Sequence, residues 1–292
     1  MNRACRRWHG LAVGLMLAFC GGVAKGQSAI EVIEHTDHGR INWSRGLLLA
    51  EGVAAPETPV GERSADRQAD VAEARRRSLQ ALSETVMEVS IQGAWRVRGL
   101  AESSDLVAAK IKDMVRQARI TGQEYLSDGT VAVSMEMSLF GGFSQLVLPP
   151  EIKSIESLKT VGEPPGAQSA LDSAKNSESR PFTGLVIDAR ELGCRPALFP
   201  RVVDEAGNEV YGSAFASREY AVQKGMSGYT MDAAAAVADD RVAPHPMTIK
   251  GLRVHPSLPS VVVISNADGA RIRSRPEHLT FLKTCAVIIV ID

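Results

Sequence analysis

Aromatic side chains are scarce in this 292-residue chain: three Trp, four Tyr and seven Phe make up only 5% of it. A sugar- or base-binding surface built from stacked rings is therefore sparse. A charge excess of either sign is also missing, since 33 Lys and Arg face 34 Asp and Glu for a formal net charge of −1. A general nucleic-acid binder carries a large basic excess, so no nucleic-acid partner is expected. Phosphate loops are absent: the sequence holds no G-x-x-x-x-G-K-[ST] and no strand-linked G-x-G-x-x-G. Beyond the first 26 residues no apolar run approaches the roughly 20 residues that cross a bilayer. What is there, 45% apolar and 23% charged, is ordinary globular composition, with length for two domains of about 100–150 residues each.

The first 26 residues read as a secretory signal. Arg3, Arg6 and Arg7 form a positive start, residues 11–24 carry no charge, and Ala24-Lys25-Gly26 puts small residues before a cut ahead of Gln27. Cys20 after Leu17-Ala18-Phe19 is a rival processing site that would attach lipid and tether the chain to a membrane. Phe19 is bulky where a small residue is normal, so the Gly26 cut and a periplasmic or outer-membrane-associated location are expected. Cys194 and Cys285 would then remain. They either pair, closing a long loop worth about 4 kcal/mol in the chain-entropy model, or stay as buried thiols.

The pattern predicts an α+β chain of two small domains. Residues 27–39 show no period and read as a loose arm. The first domain, residues 40–150, has the order β-α-β-α-β-β with helices on one face of a sheet. Leu47-Leu48-Leu49-Ala50 is a short strand, and Ser64 caps the next helix. Ala65, Ala69, Ala72, Leu79, Leu82, Val86 and Val89 give that helix one apolar stripe. Residues 90–98 read as a strand through alternating Ile91, Trp95 and Val97. A second helix starts near Ser104, with Val107, Ile111, Met114, Val115 and Ala118 on its inner side. Ser127-Asp128-Gly129 is a hairpin signal before residues 130–139, where Val131, Val133, Met135, Met137 and Leu139 alternate with polar neighbours.

Residues 151–180, with Pro164-Pro165-Gly166 and many Ser and Ala, read as a linker that lets the domains move. The second α+β domain covers residues 181–292. It has strands at Leu185-Val186-Ile187, Thr248-Ile249 and residues 261–264, a hairpin around residues 204–209, and a short helix from Ser217. Ser265 with Asp268 marks a capped helix, and residues 286–291 form a central strand.

Gly39-Arg40-Ile41-Asn42-Trp43-Ser44, the Ala-rich helix after Ser64, and Tyr125-Leu126-Ser127-Asp128-Gly129 with its following strand together resemble a known family. It is the family of small outer-membrane lipoproteins that includes the flagellar protein FlgP. The resemblance covers residues 40–150 only. It implies an envelope protein without catalysis, with envelope or flagellar-motor partners, and transfers no site residue.

Candidate chemistry is thin, and no catalytic, cofactor or metal site is expected. His35-x-x-His38 with Asp37 has the look of a metal pair but lies in the arm. His245 and His255 flank prolines. Gly225-Met226-Ser227-Gly228 approaches a nucleophile elbow, yet Tyr229 stands where G-x-S-x-G needs glycine. Cys194 with His245 or His278 is a nucleophile only if a base stands beside it in space. Arg75, Arg76 and Arg77 fan around a helix, and Asp188, Asp204 and Glu205 sit near strand ends. The expected role is structural or assembly-related, with exposed strand edges open to a second copy. The alternative is a periplasmic glycan- or small-ligand-binding module.

Overall fold

The computed structural model describes residues 30–55, 67–149, 152 and 181–292. The leader, the Ser64 cap and all of the linker except Ile152 lie outside the described residues. Strands β1 (Ile33–His35), β2 (Gly39–Asn42) and β3 (Leu47–Ala54) make an antiparallel meander. Helix α1 (Arg67–Glu88) leads to a small hairpin, β4 (Ser90–Gln92) and β5 (Trp95–Arg96). Helices α2 (Val97–Ser103) and α3 (Asp105–Arg116) precede β6 (Arg119–Tyr125) and β7 (Val131–Ser138), and α4 (Gly142–Val147) follows. The sheet runs β1-β2-β3-β7-β6 with every pair antiparallel.

Alternation decides which face of this sheet is covered. Leu48, Ala50 and Ala54 of β3 are buried with Val131, Val133 and Met135 of β7, while Glu51 and Val53 are exposed. Helix α1 lies on the buried side through Ala74, Ser78, Leu82, Thr85 and Val86. Gly52 makes the approach close: a β-carbon there would stand 2.1 Å from the Ser78 amide nitrogen and 2.2 Å from the Ala74 carbonyl oxygen. Ser78, with no accessible surface, donates its hydroxyl to the Ala50 carbonyl at 3.3 Å.

Two expectations for this half are corrected. Residues 33–35 are not a loose arm but the edge strand β1, so the sheet begins before Arg40. Residues 90–98 are not one strand. Gly93, at φ +59, turns the chain between β4 and β5, and helix α2 begins at Val97. Ile91 and Val97 are buried as the alternation suggests, but Trp95 is 47% exposed. The predicted start of the second helix and the predicted turn hold: Ser104 caps α3 by accepting from the Val107 amide, and Asp128 accepts from the Thr130 amide beside Gly129 at φ +89.

The second half opens with β8 (Gly184–Asp188), β9 (Arg201–Asp204) and β10 (Glu209–Tyr211). Then come α5 (Arg218–Lys224), β11 (Gly228–Thr230), α6 (Ala233–Ala238), β12 (Pro246–Lys250), β13 (Arg253–His255) and β14 (Leu258–Ile264). It closes with α7 (Asn266–Arg273), α8 (Pro276–Lys283) and β15 (Val287–Val290). Strands β11-β15-β8-β12 form an all-parallel sheet, and β10-β9-β14-β13 a mixed one. The chain is thus α+β with two domains. Ser265 accepts from the Asp268 amide and donates to its carboxylate, the reciprocal cap read from the sequence.

Buried Asp204, at the end of β9, accepts from Arg273 at 2.8 Å and from the Asn208 amide at 2.9 Å. The guanidinium, more than any other neighbour, holds this carboxyl below the usual range. Its folded-state value is depressed, so its contribution to stability is complete above the unfolded value of about 4 and is lost as pH falls below it. We expect the melting temperature of Asp204→Asn to respond less than wild type to acidification below that point. Parallel melting curves for the two proteins across that range would contradict the assignment.

The halves meet along a packed junction, and their buried apolar residues form one continuous cluster. Trp43 meets Tyr229 edge-on at 6.0 Å. The Ser44 hydroxyl accepts from the Val32 amide at 2.8 Å and donates to the Tyr229 carbonyl at 2.7 Å. The amides of Leu198 and Phe199 donate to Ser90 and Ile91, and that of Gly141 to Val222. Arg218 reaches the Gln145 carbonyl at 3.0 Å, and the Gly93 amide the Ser260 hydroxyl at 2.7 Å. Free movement of one domain past the other, expected from the linker, is replaced by this shared interior.

Candidate functional site

One side of the junction opens into a cleft of about 550 Å³. The first half supplies Glu31, Ser44 and Arg45, and the second supplies Thr230, Asp239 and Arg241. The turn after β2 places Arg45: Asn42 accepts from the Arg45 amide at 3.0 Å, and Gly46 at φ +64 closes the loop. The Asn42 amide group also donates to Glu31 at 2.7 Å, fixing that carboxylate at the rim. Across the cleft, Asp239 accepts from the Arg241 amide at 2.8 Å.

Arg241 is the anchor of the far wall. Its guanidinium donates to the carbonyls of Gly225 at 3.2 Å and Cys285 at 3.1 Å, and also to that of Lys224. These carbonyls lie where α5 and α8 end, where helix oxygens lack partners and carry partial negative charge. Burial pushes this guanidinium below its ordinary value, with the surrounding carbonyls supplying what water would. A cleft edged by two guanidiniums and two carboxylates suits electrostatic capture of a small polar molecule of mixed charge.

The residues singled out in the sequence are not brought together here. His35 and His38 are exposed, and among the described residues no group of three His, Cys, Asp or Glu could hold a metal ion. Ser227 is buried in the connection between α5 and β11, and Gly225, at φ +77, ends that helix. Cys194 and Cys285 are free thiols, which resolves the pairing question. Burial, with the Asp292 carboxylate adding to it, pushes Cys194 up to about 12, so the thiol stays protonated and is a poor nucleophile. His245 stacks on Phe182 at 5.1 Å, and buried His278 lies 5.3 Å from the same ring with Nδ1 3.1 Å from the Ile272 carbonyl. Both histidines pack as rings in the second half.

Arg75 is exposed, and the other charged candidates are engaged in ion pairs and caps. Arg76 and Arg77 share Glu73 at 2.7 Å, Asp188 pairs with Arg190 at 2.6 Å, and Glu205 accepts from the Asn266 amide at 3.2 Å. Sequence reasoning missed Arg45, Asp239 and Arg241, which no motif connects. The one local signal was Asn42 three residues before Arg45 with Gly46 behind it, the composition of a tight turn.

Residues 184–292 match the family model of the Treponema pallidum Tp0624 second domain. The matched stretch starts on the first residue of β8 and takes in both sheets of the second half. No curated protein matches the chain. The likeness is to a domain named by position, and a family likeness of this kind assigns no chemistry.

Proposed function

We propose that this chain is an exported, non-catalytic protein of a bacterial cell envelope, with a structural or assembly role and partners among envelope or flagellar-motor proteins. The compartment rests on the leader pattern of residues 1–26 and on the resemblance over residues 40–150. The observation that carries the structural role is the junction. Trp43, Ser44, Arg218 and Tyr229, polar and aromatic groups that a binding site would use, are committed to holding one half against the other. No helix among the described residues is long and apolar enough to cross a membrane. In this reading attachment to a membrane rests on lipid at Cys20. Mass spectrometry of the chain recovered from fractionated cells tests the reading. A chain starting at Gln27, or at a lipid-modified Cys20, in the envelope fraction supports it. A chain retaining residues 1–26 in the cytosol overturns it.

The cleft favours one second reading, a periplasmic small-ligand module. At the cleft a glycan version lacks its platform, because Trp43 is 4% exposed and faces Tyr229 rather than solvent, and the exposed Trp95 does not line it. Equilibrium dialysis against peptidoglycan fragments decides it: uptake that Arg45→Ala removes would favour this reading, and no uptake by the intact chain would end it.

A further inference from the structure

We propose that two copies of the chain join edge to edge through β6, antiparallel about a two-fold axis lying between Thr121 and Gly122. The pairing deepens the assembly role proposed above and rests on it. Among the described residues nothing hydrogen-bonds the outer side of β6, the last strand of its sheet, and six of its seven residues are exposed. Ile120 and Tyr125 are 43% and 55% accessible. Natural edges are blunted by charge, above all lysine, by proline or by a bulge. The sequence Arg-Ile-Thr-Gly-Gln-Glu-Tyr has no lysine or proline, its one Arg, one Glu and bulge can be matched by a second copy, and an unpaired ladder of this length is a template for another strand.

The register follows from an irregularity. Opposite β7, Arg119 and Ile120 pair with Glu136 and Met135, but the register slips before Gly122 and Gln123 meet Ser134 and Val133. Successive strand residues point to opposite faces. Arg119, Gly122 and Glu124 therefore share the open face with Glu136, Ser134 and Ala132, and Ile120, Gln123 and Tyr125 share the helix face. Thr121 lines the open-face groove with Ser134. A two-fold axis normal to the sheet must place open-face residues opposite open-face residues. With the axis between Thr121 and Gly122, Arg119 meets Glu124, Ile120 meets Gln123 and Thr121 meets Gly122, and every pair agrees. Moving the register by one or two residues sets at least one open-face residue against a helix-face residue. In an unbroken strand Arg119 and Glu124 would face opposite ways, so the bulge itself creates this self-complementarity.

Charge agrees with the register. Arg119 already donates through Nε at 3.1 Å and through Nη2 to its own Glu136, and its side chain is 74% exposed, leaving Nη1 for a second carboxylate. Among the described residues Glu124 has no basic partner. The two-fold axis supplies one twice, bracketing Arg119 of each copy between two carboxylates.

Sedimentation velocity of the full chain over a concentration series, joined to charge reversal, tests the pairing. We expect a monomer–dimer equilibrium, weakened about tenfold by Arg119→Glu or by Glu124→Arg and restored by both together. Restoration cannot come from the contact within one chain, because the reversed residue 119 still faces its own Glu136. Mixing Ile120→Cys chains with Gln123→Cys chains under oxidising conditions should give a disulfide joining these two positions, identified in linked peptides. Directly opposed strand positions lie within the Cα separation a disulfide needs. A monomer at every concentration, a double reversal that fails to restore association, or a dimer without the linked peptide each overturns the proposal. None of these touches the envelope role, which fails instead on a cytosolic chain with residues 1–26 intact.

Discussion

Removing residues 287–292 unfolds the second half of the molecule. Strand β15 is held between β11 and β8 in the all-parallel sheet and is buried on both faces. Val287 and Ile289 enter the interior shared by the two halves, while Ile288 and Val290 pack with Val186, Ala236 and Val242 on the other side. With Ile291, five large aliphatic side chains at about 1.5–3 kcal/mol each amount to about 8–15 kcal/mol. That is comparable to the whole stability of a typical domain. The cut also strands the Ala189, Glu191 and Thr230 partners of Val290, Asp292 and Ile291. Limited proteolysis should then open residues 184–286 at protein concentrations where the intact chain resists. A shortened chain as resistant as the intact one would refute the placement of β15.

Gly52→Ala should be the most damaging single substitution in the first half. The added carbon would meet backbone atoms of α1 at 2.1 and 2.2 Å, and no rotamer can move a backbone nitrogen or carbonyl aside. The helix must lift off β3, loosening Ala74, Ser78 and Leu82, at a cost of about 3 kcal/mol. Gly99→Ala is the matched control, because a β-carbon there comes no nearer than 3.6 Å to Trp95 and the helix itself gains. Equal denaturation midpoints for the two variants would show that α1 is not packed as described.

Local chemistry made parts of this fold legible. Asp128-Gly129, Ser104 and the Ser265–Asp268 pair each satisfy neighbouring backbone groups, so their meaning lies within a few residues. The alternation of β7 reported its buried face in the same way, whereas the stripe read for α1 holds at Leu82, Val86 and Val89 but not at Ala69 and Ala72, which are exposed, because Ala74, Ser78 and Thr85 carry the contact instead. Strands β1 and β11 escaped notice because each is three residues long, too short for a period to show, and β11 opens with glycine. The parallel order β11-β15-β8-β12 joins segments far apart in sequence, and no local pattern encodes it. The cleft was hidden for the same reason. Arg45 and Arg241 become neighbours only through the junction, and Trp43, Leu139 and Tyr211 read equally well as interior residues of separate domains.

The continuous interior has a bearing on turnover. Because the two halves share one apolar cluster, an opening that reaches Trp43 or Tyr229 bares apolar surface in both at once. A quality-control protease would therefore meet either an intact molecule or one exposed along its whole length. A lesion in one half should shorten the lifetime of the other, and the chain would be made and destroyed as a unit.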